Sequence, residues 1–129
     1  MRSAGLVLAA GSSSRMGSPK QLLELGGRPL LEVVLAAVNA SGLDDVVVVL
    51  GGAAERIQGE VDFGRARVVV NADYATGMSS SLRAGLHSLG PEAERVVVIL
   101  GDQPAITAEL LADGGELRIA VELALAEST

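Results

Sequence analysis

The stretch that decides the fold is residues 6–20, which read LVLAAGSSSRMGSPK. It begins as an apolar run, breaks at Gly11, continues through three serines and then brings Arg15, Gly17 and Lys20 in close succession. A buried strand that feeds a loop of small residues exposes backbone N–H groups to an anion. Two cations on such a loop add charge-assisted hydrogen bonds to phosphate oxygens. The stretch therefore predicts a strand followed by a loop that binds the phosphates of a nucleoside triphosphate.

Length and composition exclude several classes of protein. At 129 residues, the chain is predicted to form a single domain over 1–129. The net charge of −6 and the presence of only one Tyr and one Phe argue against nucleic-acid binding. That activity requires a basic surface and aromatic stacking platforms. The absence of cysteine excludes disulfides, thiolate catalysis and cysteine zinc sites.

The apolar runs also bear on targeting. The run at residues 5–10 ends in a serine-rich loop and is shorter than the ~7–15 residues of a secretion-signal core. No run approaches the ~18 apolar residues of a membrane span. We therefore expect a cytoplasmic protein without a membrane partner.

Strand and helix signals alternate along the chain. Short apolar runs predict buried strands at residues 5–9, 46–50 and 95–100, and a shorter strand with charged residues before it at residues 66–70. Helical spacing or capping residues predict helices at residues 30–40, at 53–58 and after Ser79 or Ser80. This alternation is typical of a Rossmann-like three-layer α/β/α fold with a mostly parallel sheet and helices on both faces.

Four further segments receive local predictions. Residues 21–25 are expected to form a short extended arm that leads into a Gly-Gly turn at 26–27. Thr107 is expected to cap a helix over residues 108–113. In residues 117–125, the strict apolar alternation favours a strand, whereas the Ala, Glu and Leu composition favours a helix, and we predict a helix.

The predicted topology places a site at one edge of the sheet. In open α/β folds, ligands bind beyond the carboxyl ends of the strands. The loops at residues 10–18, 71–78 and 101–104 all follow predicted strands. If the first strand lies beside the fourth, the first loop and Asp102 face the same crevice.

The first loop matches neither of the two common glycine-rich motifs. A Walker A motif requires four residues between its glycines and a lysine directly after the second glycine. Here five residues separate Gly11 from Gly17, and Lys20 follows three positions later. The dinucleotide pattern, Gly-x-Gly-x-x-Gly, is also not met.

Three segments together carry a resemblance to a known family. They are LAAGSSSRMGSPK at residues 8–20, NADYATGMSSSLRAGL at 71–86 and GDQP at 101–104. Their order and spacing resemble those of the MobA-like nucleotidyltransferases, in particular the molybdenum cofactor cytidylyltransferases, whose loop also begins Leu-Ala-Ala-Gly. The resemblance implies a fold of the nucleotide-diphospho-sugar transferase type.

The resemblance also implies an activity. CMP is transferred from CTP to the phosphate of molybdopterin or the molybdenum cofactor, and pyrophosphate is released. The implied catalytic residues are Arg15, Lys20 and Asp102, and Asp102 also holds Mg²⁺. The implied nucleotide-binding residues are Leu8, Ala9, Ala10, Gly11, Ser12, Ser13, Ser14, Arg15, Lys20, Asn71, Gly77, Ser80 and Ser81.

The resemblance ends near Leu111. It divides the chain into a nucleotide-binding portion, residues 1–112, and a divergent segment, residues 113–129. The family's later acidic motif and much of its acceptor pocket find no counterpart here, so the family domain is expected to be truncated. Two alternatives therefore remain open. The chain is a nucleotidyltransferase acting on a sugar or alditol phosphate, or a nucleotide-binding remnant without turnover.

Overall fold

A computed structural model describes residues 3–10, 14–15, 18–40, 42–89, 93–100, 103–113 and 116–123. Six strands form one sheet, which in spatial order contains β10 (Glu116–Leu123), β9 (Gln103–Asp113), β8 (Arg95–Leu100), β1 (Ser3–Ala9), β6 (Asp45–Leu50) and β7 (Arg67–Val70). The pairs β8–β1, β1–β6 and β6–β7 are parallel, whereas β9 and β10 add to the sheet in antiparallel directions. The first and fourth predicted strands, β1 and β8, thus lie side by side.

Four two-residue strands form two small antiparallel pairs, namely β2 (Ser14–Arg15) with β3 (Ser18–Pro19) and β4 (Glu24–Leu25) with β5 (Arg28–Pro29). The helices are α1 (Leu30–Asn39), α2 (Ala54–Glu60) and α3 (Met78–Leu89), and two 3-10 turns span Lys20–Leu22 and Tyr74–Thr76.

Helices cover both faces of the sheet, as the alternating pattern predicts. On β1, Val7 and Ala9 belong to a buried cluster with residues of α1 and α2. Leu6 and Leu8 point to the opposite face, where Leu82, Leu86 and Leu89 of α3 pack. Successive side chains of a strand alternate between faces, so a strand covered on both sides is apolar throughout. This accounts for the uninterrupted apolar run of β6, in which Val46 to Leu50 are fully buried.

A glycine allows α3 to lie close to the central strand. A Cβ added at Gly85 would collide with the side chain of Leu6, which has no solvent exposure. The interior is close-packed, so Leu6 has no space into which it can retreat. Gly85 is therefore required by the distance between α3 and β1.

The prediction for the carboxyl-terminal part of the chain is wrong. Residues 108–113, predicted as a helix after Thr107, lie in β9, and residues 117–123, also predicted as helical, lie in β10. β9 pairs with β8 from Arg95↔Leu111 to Ile99↔Thr107, and β10 pairs back onto β9. Strand pairing on the edge of β8 satisfies backbone groups over a long ladder, and this tertiary pairing overrides the weak helical preference of Ala, Glu and Leu. The period-two alternation was the more reliable signal.

Two smaller predictions also need correction. The expected arm at residues 21–25 is a 3-10 turn followed by β4, and the turn at Gly26 and Gly27 is confirmed with φ angles of 64° and 84°. Helix α3 begins at Met78, so Ser79 and Ser80 lie in its first turn rather than at its cap. Gly77, with φ of 125°, occupies the position before the helix because few side chains adopt that backbone conformation.

Candidate functional site

The carboxyl ends of β1 and β6 meet at a crowded point. A Cβ at Gly51 would lie 2.5 Å from the carbonyl oxygen of Ala10 and 2.7 Å from Cβ and Cγ of Tyr74. A Cβ at Gly52 would lie 2.6 Å from the Tyr74 hydroxyl oxygen. The Tyr74 side chain therefore lies over the Gly51-Gly52 turn, beside the start of the first loop. Side chains at these two positions would push the three segments apart.

Asn71 organises the second predicted loop. Its side-chain N–H₂ group donates to the hydroxyl oxygens of Ser80 at 2.9 Å and Ser81 at 3.0 Å. Its side-chain oxygen accepts a bond of 3.0 Å from the backbone N–H of Asp73. Asn71 and Ser81 are buried, and a buried amide is stable there because it is hydrogen-bonded. The end of β7 is thus joined to the first turn of α3.

The hydroxyl of Ser80 is already engaged within the protein. Its single O–H is shared between the carbonyl oxygens of Gly77 at 2.8 Å and Asp73 at 3.0 Å, while its oxygen accepts from Asn71. These bonds hold the 3-10 turn Tyr74–Thr76 against α3. The predicted residues Asn71, Ser80 and Ser81 therefore form one hydrogen-bonded group, with Gly77 at its edge.

Gln21 is a buried polar residue next to the first loop. Its side-chain N–H₂ group donates to the carbonyl oxygen of Ala9, the last residue of β1, at 2.6 Å. Only 4% of Gln21 is exposed. Sequence reasoning placed Gln21 in an arm and missed this bond. The sequence feature that could have indicated a role for Gln21 is its position directly after Lys20.

The structure describes the predicted site unevenly. Leu8, Ala9 and Ala10 are buried at the end of β1. The backbone of Ser14 and Arg15 forms β2, and that of Lys20 opens the 3-10 turn before Leu23. The remaining predicted site residues, Gly11, Ser12, Ser13 and Asp102, lie outside the described residues.

Register aligns the carboxyl ends of β1 and β8. Leu8 pairs with Leu100 in the parallel β1–β8 ladder. In the sequence, Ala10 and Asp102 each follow these paired residues by two positions. The carboxyl ends of two adjacent strands therefore lie side by side, and ligands bind beyond such strand ends in open α/β sheets.

The described residues contain no group of three His, Cys, Asp or Glu side chains able to hold a metal ion. None of the helices of the described residues has the length and apolar character needed to cross a membrane.

Glu32 on α1 is a carboxylate with a lowered pKa. The cause is the hydrogen bond from the backbone N–H of Asp62, reinforced by the Arg28 side chain, so this shift supports local structure.

Comparison with known families agrees with this geometry. Residues 5–116 match the model of the MobA-like NTP transferase domain, from within β1 to the first residue of β10. The chain belongs to the MobA-like NTP transferase family. The match includes all three segments on which the resemblance rests, and the strands that precede the first loop and GDQP in the sequence, β1 and β8, are adjacent in the sheet.

Two relatives with different names each match most of this chain. The chain is 36% identical over 104 residues to nicotine blue oxidoreductase of Paenarthrobacter nicotinovorans, covering 80% of this chain and 50% of that protein. It is 40% identical over 111 residues to the bifunctional protein GlmU of Pelotomaculum thermopropionicum, covering 84% of this chain and 24% of that protein. The chain thus spans half the length of the first relative and a quarter of the second.

Solved structures of similar proteins share the fold. Rv0371c of Mycobacterium tuberculosis matches with a TM-score of 0.72 and 39% identity over 80% of this chain and 53% of that chain. A manganese complex of Rv0371c matches with a TM-score of 0.67 and 34% identity over 81% and 52%. The 4-diphosphocytidyl-2C-methyl-D-erythritol synthase of Anaerococcus prevotii matches with a TM-score of 0.64 and 29% identity over 81% and 45%. The fold is therefore that of the nucleotide-diphospho-sugar transferases, of which this chain covers about half.

Proposed function

We propose that this chain binds CTP and takes part in transferring CMP to the phosphate of a molybdopterin-type cofactor, with release of pyrophosphate. The observation that carries the proposal is the parallel β1–β8 pairing with Leu8 opposite Leu100. It brings the ends of β1 and β8 side by side, and this supports a shared site for the loop that bears Arg15 and Lys20 and the segment that bears Asp102. Cations and a carboxylate at one point are what a metal-bound triphosphate requires.

In this proposal the triphosphate binds the first loop. Its oxygens accept hydrogen bonds from backbone N–H groups between Ala10 and Ser14, and from the cations of Arg15 and Lys20. Lys20 is the only lysine of the chain, whose overall charge is −6. Binding of an anionic ligand therefore depends on this local basic loop rather than on the net charge.

The cytosine base is assigned to the other side of the same edge. The backbone of Leu8–Ala10 and the segment from Gly77 to Ser81 would contact it. The carbonyl oxygen of Ala10 and the side chain of Tyr74 both lie against Gly51. The backbone N–H of Tyr74 donates to the carbonyl oxygen of Asn71. These contacts support a continuous surface between the segments. The choice of cytosine rests on the Ala-Ala-Gly start of the loop. One structural neighbour is named for a diphosphocytidyl product.

The donor set fits Mg²⁺ as the metal. Mg²⁺ usually keeps several waters and binds proteins through one or two carboxylates plus substrate phosphates. A single carboxylate, Asp102, which follows β8 in the sequence, fits that pattern. A manganese complex of a relative agrees with the use of a divalent cation. Bound there, the metal would supply charge neutralisation at the phosphates.

The reaction needs positioning and charge stabilisation rather than a protein nucleophile. An oxygen of the acceptor's terminal phosphate forms a bond to the α-phosphorus of CTP. The bond from that phosphorus to the bridging oxygen of the β-phosphate breaks, and pyrophosphate leaves with the electron pair. Arg15 and Lys20 stabilise the charge that develops on the leaving group.

One alternative is favoured by an observation. The neighbour named as a diphosphocytidyl-methylerythritol synthase favours a sugar or alditol phosphate as the acceptor. Nucleotide binding without turnover is the second alternative, and the measurements below distinguish it.

Two measurements on the 129-residue chain separate these functions. Calorimetry with CTP, GTP and CMP in the presence of Mg²⁺ tests binding, and we expect CTP to bind most tightly. Pyrophosphate release from CTP is then followed with molybdopterin and with a panel of sugar and alditol phosphates. Pyrophosphate release that requires molybdopterin as the acceptor supports the proposal, and pyrophosphate release with a sugar or alditol phosphate overturns it. Tight CTP binding without release indicates the non-catalytic alternative.

A further inference from the structure

The bond between Gln21 and Ala9 joins two points that flank the first loop. Ala9 ends β1, directly before the loop begins at Ala10, and Gln21 directly follows Lys20. The donor is a side-chain amide and the acceptor is a backbone carbonyl oxygen, 2.6 Å apart and buried. The 3-10 turn that contains Gln21 also contains Lys20. The position of Lys20's backbone is therefore linked to the end of the central strand.

Downstream contacts fix the same turn from the other side. Leu22 packs against the buried cluster under α1 and α2. The backbone N–H of Leu30 donates to the carbonyl oxygen of Leu23 at 2.7 Å, which closes the hairpin of β4 and β5 onto the start of α1. With Leu22 anchored by apolar packing, Gln21 supplies the polar anchor that faces β1.

We propose that Gln21 is a positioning residue that holds the backbone of Lys20 at a fixed distance from the end of β1, so that Lys20 and the Ala10 backbone meet the same triphosphate. The role in nucleotide binding rests on the proposed function above. A misplacement of about 1 Å at a binding group is enough to lower rates or affinities severely. A buried amide that bonds a carbonyl oxygen sets such a distance more firmly than an exposed bond, which water competes for.

Two substitutions separate positioning from simple stability. Gln21→Met keeps the length and volume of the side chain and removes the donor. Gln21→Glu replaces the amide by a carboxyl, which donates an O–H to Ala9 only when it is protonated. Burial raises the pKa of a carboxyl, so this donor should be regained as the pH falls. Gln58→Met is the matched control, because Gln58 is an exposed glutamine on α2.

The first readout is the dissociation constant of CTP and of CMP with Mg²⁺, measured well below each variant's unfolding temperature. For Gln21→Met we expect the dissociation constant of CTP to rise about tenfold, because a displaced Lys20 contacts the triphosphate less well, with that of CMP nearly unchanged. For Gln21→Glu, we expect the dissociation constant of CTP, divided by that of the unsubstituted chain at the same pH, to return toward one as the pH falls. Gln21→Met should show no such rescue, and Gln58→Met should match the unsubstituted chain.

The second readout does not need a nucleotide. Amide hydrogen exchange of a peptide covering residues 18–25 should become faster in Gln21→Met, while residues 46–50 of β6 keep their protection. Unchanged exchange at 18–25 overturns the anchoring of Lys20. Equal losses of CTP and CMP affinity, or no pH rescue in Gln21→Glu, overturn the role toward the triphosphate. If the unsubstituted chain binds no CTP, the proposed function fails, and the exchange measurement still decides whether Gln21 anchors this turn.

Discussion

The side-chain amide of Asn71 donates a 3.0 Å hydrogen bond to the hydroxyl of Ser81, and both residues are buried. This bond ties the end of β7 to α3 across the 3-10 turn that carries Tyr74. Because Tyr74 in turn lies on Gly51 and Gly52, one amide controls the arrangement of the second loop against the sheet.

Replacement of Asn71 should destabilise the fold. Asn71→Ala removes three hydrogen bonds and leaves the hydroxyl of Ser81 buried without its donor, so the free energy of unfolding should fall by roughly 2–3 kcal/mol. Urea denaturation monitored by circular dichroism measures this loss. Thr76→Ala is the control, since it removes one exposed bond in the same turn and should change stability by less than about 0.5 kcal/mol. Equal effects of the two changes would contradict the role of Asn71.

Replacement by alanine should have opposite effects on stability at Gly85 of α3 and at Gly59 of α2. Gly85→Ala places a methyl group against Leu6 and should cost about 1–3 kcal/mol through overpacking. Gly59→Ala on α2 meets nothing within 4 Å and should be neutral or stabilising by up to ~1 kcal/mol, because alanine has the higher helix propensity. Thermal unfolding of both variants tests the pair, and a neutral Gly85→Ala would rule out close packing of α3 on β1.

Glu32 should give stability a defined pH dependence. Hydrogen bonds from the Asp62 backbone and the Arg28 side chain lower its pKa below the ordinary 4.5. A group with a lowered pKa in the folded state stabilises the fold above its unfolded-state pKa, and this contribution is lost as pH falls through the folded-state value. Glu32→Gln should therefore be less stable than the unsubstituted chain near neutral pH, and the gap should close on acidification. A gap that widens on acidification would contradict the assignment.

Lys20→Ala tests the cation assigned to the triphosphate. Loss of a charge-assisted hydrogen bond costs about 1.5–3 kcal/mol, so the dissociation constant of CTP should rise by roughly ten- to a hundredfold while CMP binding changes little. Calorimetry with both nucleotides is the measurement. Arg56→Ala, at an exposed cation of α2, is the control and should leave both affinities unchanged. Equal losses of CTP and CMP affinity in Lys20→Ala would place the lysine elsewhere.

Asp102→Asn tests the metal. The amide keeps the size of the side chain but removes the negative charge that Mg²⁺ requires. The increase in CTP affinity on addition of Mg²⁺ should be abolished or strongly reduced, while binding measured without the metal should be unchanged or slightly stronger. Titrations of CTP with and without Mg²⁺ provide the comparison, and an unaltered dependence on Mg²⁺ would assign the metal to other residues.

The local pattern of the sequence was sufficient for the four parallel strands. Apolar runs such as residues 46–50 specify a strand covered on both faces, because only that environment buries every side chain of the run. The alternation with helical segments then restricts the sheet to a parallel arrangement, and the family resemblance adds the first loop, Asn71 and Asp102 as site candidates.

Tertiary structure decided what depends on contacts between distant segments. Residues 103–113 and 116–123 form antiparallel strands because the edge of β8 offers a ladder that helical propensity does not outweigh. Gly51 and Gly85 are required by close approaches to Ala10, Tyr74 and Leu6, none of which is near them in sequence. The bond from Gln21 to Ala9 likewise exists only because the folded chain brings Gln21 back to the end of β1. Local sequence pattern specified the four parallel strands and the loop that carries the cations, because a buried strand and a small-residue loop each have their own residue pattern. The folded chain specified the two carboxyl-terminal strands and how the segments are held together, because both depend on contacts between distant residues.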